Sequence, residues 1–359
     1  MPIVLPGELP ASRSLAQENI FVMSPKRAST QDIRPLEILV LNLMPTKIAT
    51  ETQLARLLAN TPLQVRLTLL QTASYTGKNT ALEHLNAFYT TADNVRERFF
   101  DGMIITGAPL GRVAFTDVAY WKELTDIFDW SRTHVFSTLH VCWGAVAGLN
   151  HHFGIRKETL PEKLFGVFPQ TVLRPNNPLV RGFDDIFYAP HSRYAAINSE
   201  DLAREKRLRV LAAGVKTGPY LLSTENGRQI FVMGHPEYDR MTLDAEYRRD
   251  AAKDLDIALP ANYYPDNDPA KTPVFSWRAH GCLLYENWLN YYVYQTTPYD
   301  LNTISELEES EKWILRAYVW VVRPPILVNE SLLTNTERAP GNRVAKYRAR
   351  PQAARRYAA

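Results

Sequence analysis

From Leu36 onward, apolar and polar positions fall into short blocks of two kinds. The run "LEILVLNL" is almost wholly apolar and is bounded by Pro35 and Pro45, the pattern of a strand covered on both faces. "TETQLARLLANTP" instead places Leu54, Leu57 and Leu58 on one helical face, with Thr50 as N-cap and Pro62 as stop. "LQVRLTLLQT" predicts another strand, "FDGMIITGAP" a buried one ending in a turn, "VAYWKELTDIFDWS" an amphipathic helix, and "HVFSTLHV" a further strand. This alternation predicts an α/β fold with a mostly parallel central sheet flanked by helices. In such sheets, ligands sit beyond the carboxyl ends of the strands. Residues 158–232 read as mixed short strands and turns, followed by a helix over "TLDAEYRRDAAKDL". In the aromatic stretch "ENWLNYYVYQTTPYD", Trp288, Tyr291, Tyr292 and Tyr294 read as a packing surface rather than a platform for stacked bases.

Composition narrows the function classes. The 359 residues are 45% hydrophobic and 22% charged, enough to bury a large core. No run of about 18 apolar residues and no apolar leader segment is visible, so the expectation is no membrane association. Two cysteines, Cys142 and Cys282, in a chain this size read as free thiols in a reducing cytoplasm. Residues 324–359 hold seven basic and two acidic side chains, a surplus of five, so the formal net charge of +3 leaves the preceding body at −2. That body has no electrostatic footprint for nucleic acid. The basic tail reads as a solvated, disordered extension.

Candidate chemistry gathers at three strand ends. Cys142 stands where an apolar strand turns into the small-residue helix "WGAVAGL", the placement of an acyl-transfer nucleophile. The helix N-terminus favours negative charge there; the competing reading is a buried packing cysteine. His235 follows the strand of "IFVMGHPEYD", and Glu237, two residues on, faces the same side of extended chain and is placed to orient the imidazole. Together the three suggest a Cys-His-Glu relay. The turn "TGAPLG", through the amide of Leu110, and the amide of Trp143 are candidates for an oxyanion hole. No spacing supports a metal: His151 and His152 form a lone adjacent pair whose side chains should diverge on a helix. No Walker loop or dinucleotide fingerprint is present.

At "LNLMPTK", "TGAPLG", "VCWGA", "YAPHSRYA", "GHPEYD", "NYYPDNDP", "SWRAHG" and "NWLNYYVYQTTPYDL" the chain closely resembles the homoserine O-acyltransferase family, specifically its homoserine O-succinyltransferases of methionine biosynthesis. The resemblance covers about residues 1 to 300 and implies a fold like that of class I glutamine amidotransferases. It implies Cys142 as acyl-thioester nucleophile, His235 as base and Glu237 as its orienting acid. It also implies Lys163, Ser192 and Arg249 as contacts to the amino-acid substrate, and Gly111 as the position that distinguishes acyl donors. A glutamate at position 111 would crowd and repel the carboxylate of a succinyl group, whereas glycine leaves space. "TGAPLGRVAFTDVAYW" resembles the succinyl-transferring branch, and "STLHVCWGAVAGLNHHFGI" the acetyl-transferring one.

The resulting expectation is a ping-pong transfer from succinyl-CoA through Cys142 to L-homoserine, with acyl-CoA as co-substrate and no permanent cofactor. Acetyl-CoA as donor, a glutaminase-type amidotransferase and a non-catalytic binding protein are the alternatives. A homodimer stays open. The expected organisation is an N-terminal extension (1–34) packed on the core, an acyltransferase domain (35–300), a C-terminal helix (301–323) and the basic tail (324–359).

Overall fold

The computed structural model describes residues 3–75, 77, 79–253 and 257–307. The tail and all but the start of the expected C-terminal helix lie outside them; Leu301–Leu307 is 3-10 helix. Twelve strands form one sheet: β1 (Ile3–Val4), β2 (Val22–Met23), β3 (Leu36–Leu41), β4 (Val65–Leu70), β5 (Tyr89–Thr90), β6 (Phe100–Ile105), β7 (Val135–Val141), β8 (Lys157–Val172), β9 (Ile186–Ile197), β10 (Leu208–Gly214), β11 (Gly218–Thr224) and β12 (Gln229–Val232). Their order is β2-β1-β4-β3-β6-β7-β12-β11-β10-β8-β9, with β5 beside β4. Every pair from β2 through to β12 is parallel, whereas β12, β11, β10, β8 and β9 pair antiparallel.

The parallel half behaves as its apolar runs predict. β6 and β7 are buried at every position, because helices cover both faces. The helix expected to start at Thr50 begins earlier, at Lys47, and Thr50 lies inside it with its hydroxyl donating to the Thr46 carbonyl. Its leucines meet Leu15 of the helix Pro10–Gln17 in one apolar cluster. The chain's first residues thus add strand β1 to the sheet edge at β4 and a helix to its face.

In the antiparallel half β10, β11 and β12 are short, as expected, but β8 runs for 16 residues and β9 for 12, forming a long ribbon. The register breaks between Thr159 and Leu164, and the first half of β8 is largely uncovered. No period of two therefore survives in "KETLPEKLFGVF". In the aromatic stretch, Trp288 and Tyr292 are buried, and the Trp288 indole donates to Ser137 Oγ at 3.0 Å. Tyr294 is exposed and takes no part in that packing.

Candidate active site

Parallel register brings the ends of four strands level: Leu41 pairs with Ile105, Ile105 with His140, and Val141 with Val232. The segments leaving those strands meet beyond the sheet edge. Cys142 is the first residue after β7 and the N-cap of the helix Trp143–Phe153, with φ 50° and ψ −114°. A side chain in that region costs about 1–3 kcal/mol, a strain that persists only where surrounding contacts impose it. Here the Cys142 N–H donates to the Val232 carbonyl at 2.7 Å, and the helix beyond is pressed onto the sheet. A Cβ on Gly144 would fall 2.6 Å from the Thr106 carbonyl oxygen, and one on Gly148 would fall 2.7 Å from His140 Nδ1. The small residues of "WGAVAGL" are thus what let the helix start at the cysteine.

His235 and Glu237 close the group. The His235 N–H is pinned to the Pro190 carbonyl at 2.8 Å, and its Nδ1 lies 2.6 Å from Glu237 Oε1, both residues being buried. A methyl placed on Gly107 would sit 3.2 Å from Cys142 Cβ and 3.3 Å from His235 Cε1, so the cysteine and the imidazole face one point. Burial works against a charged imidazole, but the Cys142 sulfur and the Glu237 carboxylate outweigh it and hold the His235 pKa well above the ordinary histidine value. Tyr238 stacks on His235 with ring centroids 4.0 Å apart. The strained turn, the pinned backbone and the stacked ring all restrict where the imidazole sits.

The residues expected to hold the amino acid converge on the helix Thr242–Ala251. Lys163, from β8, reaches Asp250 at 3.1 Å and Glu246 at 3.6 Å. Ser192, from β9, donates to Glu246 Oε2, and Arg249 binds Asp250 at 2.7 Å. Burial disfavours the Asp250 carboxylate, yet Arg249 and Lys163 keep its pKa below the usual range. Tyr238 donates to Glu246 Oε1 at 2.7 Å, so a single ring touches both His235 and this polar cluster. Cations beside a carboxylate suit a zwitterionic ligand, whose two ends need opposite partners.

Leu110 donates its N–H to the Ala108 carbonyl at 2.8 Å within the turn, and the approach of "TGAPLG" to the cysteine falls at Gly107. Trp143 opens its helix, where an N–H has no intrahelical acceptor. Gly111 lies against β9: a Cβ there would be 3.1 Å from the Ala195 nitrogen and 3.2 Å from Tyr194 Cβ. Its carbonyl accepts from Lys157 at 3.2 Å, and the neighbouring Arg112 guanidinium stacks 3.9 Å over Tyr194.

Glu246 and Arg193 escaped the sequence reading. Arg193 is 5% exposed, and its acceptors, the Ala195 and Thr217 carbonyls and His191 Nδ1, are all neutral. A buried guanidinium costs several kcal/mol unless compensated. Burial lowers its pKa, and the Cys142 sulfur opposes that shift. The one available signal was "PHSRYA", an arginine at a strand position inside a motif already singled out for Ser192. The expectation that His151 and His152 diverge is overturned, since their rings lie 5.1 Å apart.

A cysteine at a strand-to-helix turn, an imidazole and a carboxylate form an arrangement suited to acyl transfer. A homoserine O-succinyltransferase family model matches residues 2–299. The chain is 59% identical over 302 residues to a homoserine O-acetyltransferase of Brevibacillus brevis, covering 84% of this chain and 99% of that protein. It is 55% identical over 304 residues to the homoserine O-acetyltransferase of Acetivibrio thermocellus, covering 85% and 100%. Among solved structures it is similar to a glutamine amidotransferase of Thermotoga maritima, with a TM-score of 0.48 and 12% identity, covering 72% of this chain and 98% of that one. The chain belongs to the homoserine O-succinyltransferase family and is an O-acyltransferase. Membership implies homoserine and an acyl-CoA as its substrates. Among the described residues no helix is long and apolar enough to cross a membrane.

Proposed function

We propose that the protein transfers a succinyl group from succinyl-CoA to the hydroxyl of L-homoserine through a thioester on Cys142. The observation that carries this reading is the strained Cys142 facing His235, with Glu237 bonded to the far side of the imidazole. The elevated His235 pKa favours a protonated imidazole facing the Cys142 sulfur, and Arg193 is a second positive group within electrostatic reach of it. The thiolate attacks the thioester carbonyl, and the Trp143 amide steadies the oxyanion. As the carbon–sulfur bond to coenzyme A breaks, the imidazolium supplies a proton to the departing thiolate.

Acylation removes the charge on Cys142 and with it a main cause of the elevated pKa, so the now neutral His235 becomes a base. It takes the proton of the homoserine hydroxyl as that oxygen attacks the acyl-enzyme, and collapse of the adduct restores the thiolate–imidazolium pair. In this reading Arg249 and Lys163 take the homoserine carboxylate and Glu246, with Ser192 beside it, takes the ammonium, a reading supported by the clustering of these side chains. Tyr238 sets the spacing between that cluster and the imidazole.

Two observations pull the donor in opposite directions. The relatives' names favour acetyl-CoA. Gly111 favours succinyl-CoA, because it carries no side chain and has the cations Lys157 and Arg112 beside it, a setting suited to a donor ending in a carboxylate. The kcat/KM for the two donors at saturating homoserine decides. The succinyl reading predicts a preference of at least about tenfold, since a charge-assisted contact is worth about 1.5–3 kcal/mol. Preference for acetyl-CoA overturns it. Gly111→Glu should reverse the preference, and Gly111→Ala, which presses equally on the Tyr194–Ala195 backbone but adds no charge, should not.

A further inference from the structure

At its far end the nucleophile helix carries a group of side chains that the acyl-transfer reading leaves unused. Asp129, on the helix Trp121–His134, and His151 and His152, in the last turn of Trp143–Phe153, each offer one ligating atom, all within 4.8 Å of one another. His151 Nε2 stands 2.7 Å from Asp129 Oδ1. His152 Nε2 is shut off from solvent and has no hydrogen-bond partner among the described residues. An unmet polar atom in the interior costs about 1–3 kcal/mol and calls for a partner that the protein itself does not supply. Phe128 walls the group, its ring centroid 5.5 Å from those of both His151 and His152.

We propose that Asp129, His151 and His152 bind a divalent transition-metal ion of the zinc type, tying the C-terminal turn of the nucleophile helix to the helix Trp121–His134. Two imidazoles and one carboxylate form a nitrogen-rich donor set that selects such an ion over calcium or magnesium. Zinc bonds to nitrogen and oxygen span about 2.0–2.2 Å, so the ligands must draw in by about an ångström. Asp129 is the group free to move, its side chain being 63% exposed. The ion would be a structural clamp, distant in the fold from the chemistry at Cys142.

The test is Co2+ and Zn2+ titration of the full chain, read by visible absorption and by thermal unfolding. The expected result is one equivalent of Co2+ without thiolate charge-transfer bands, displaced by Zn2+, and a Tm rise of about 3–6 °C at metal well above Kd. His151→Gln and Asp129→Asn change half-exposed or exposed positions, so both variants should keep the metal-free Tm while losing affinity by about 10- to 100-fold. Three results would each overturn the site: no binding by the parent protein at hundredfold excess, thiolate bands that place the metal on a cysteine, or unchanged affinity in both variants.

Discussion

The two halves of the sheet contribute to the site by different means. In the parallel half, Cys142 and His235 follow neighbouring strands whose ends are in register, so backbone pairing brings the two segments together, with the Pro190 carbonyl of β9 fixing the His235 backbone. In the antiparallel half, Lys163 and Ser192 sit on a long ribbon and are gathered by charge, through Glu246 and Asp250 of a separate helix. Backbone register tolerates the loss of a side chain, whereas a charge cluster loses its shape with one member. Changes near Cys142 should therefore alter chemistry with little change in binding, and changes in the cluster should do the reverse.

The largest effect is expected at Glu237. Glu237→Gln removes the anion that holds the imidazole and supports its charge, and kcat should fall by about 10²–10⁴-fold, as in other relays deprived of their acid. KM for homoserine should stay within about threefold. A comparable rise in KM would mean that the two regions are not separable. Next comes Arg249→Ala, which removes a charge-assisted grip worth about 1.5–3 kcal/mol and should raise the homoserine KM about 10- to 100-fold. The rate of coenzyme A release in a single turnover without acceptor should stay within about twofold of the parent; a tenfold loss there would place Arg249 in the first half-reaction.

The smallest effect concerns stability against pH. His235 has a folded pKa raised above its unfolded value near 6.5, so its contribution is fully present below pH 6.5 and is lost as pH rises through the folded value. Tm should decline on the alkaline side in the parent and decline less in Cys142→Ala, where the sulfur's part of the shift is gone. Identical alkaline slopes in the two proteins would deny the coupling between sulfur and imidazole.

This contrast also explains what the sequence made legible. Buried parallel strands leave unbroken apolar runs, and a strand followed directly by "CWGA" or by "GHPE" marks its own carboxyl end, so the strand-end placement of Cys142 and His235 could be read from local features. The β8–β9 ribbon could not, because its register break and uncovered first half erase alternation. Glu246 looked like any charge on a helix and became visible only when Ser192, Tyr238 and Lys163 closed around it. His151 and His152 were misjudged because their rings can converge on a partner supplied by a different helix.

The central claim, that the acyl group rests on Cys142 between two half-reactions, is tested most directly by intact and peptide mass spectrometry after mixing the protein with succinyl-CoA and no acceptor. The account predicts one succinyl adduct on the peptide containing Cys142, lost when homoserine is added and absent in Cys142→Ala. Turnover without any adduct, or an adduct on Cys282, would contradict it.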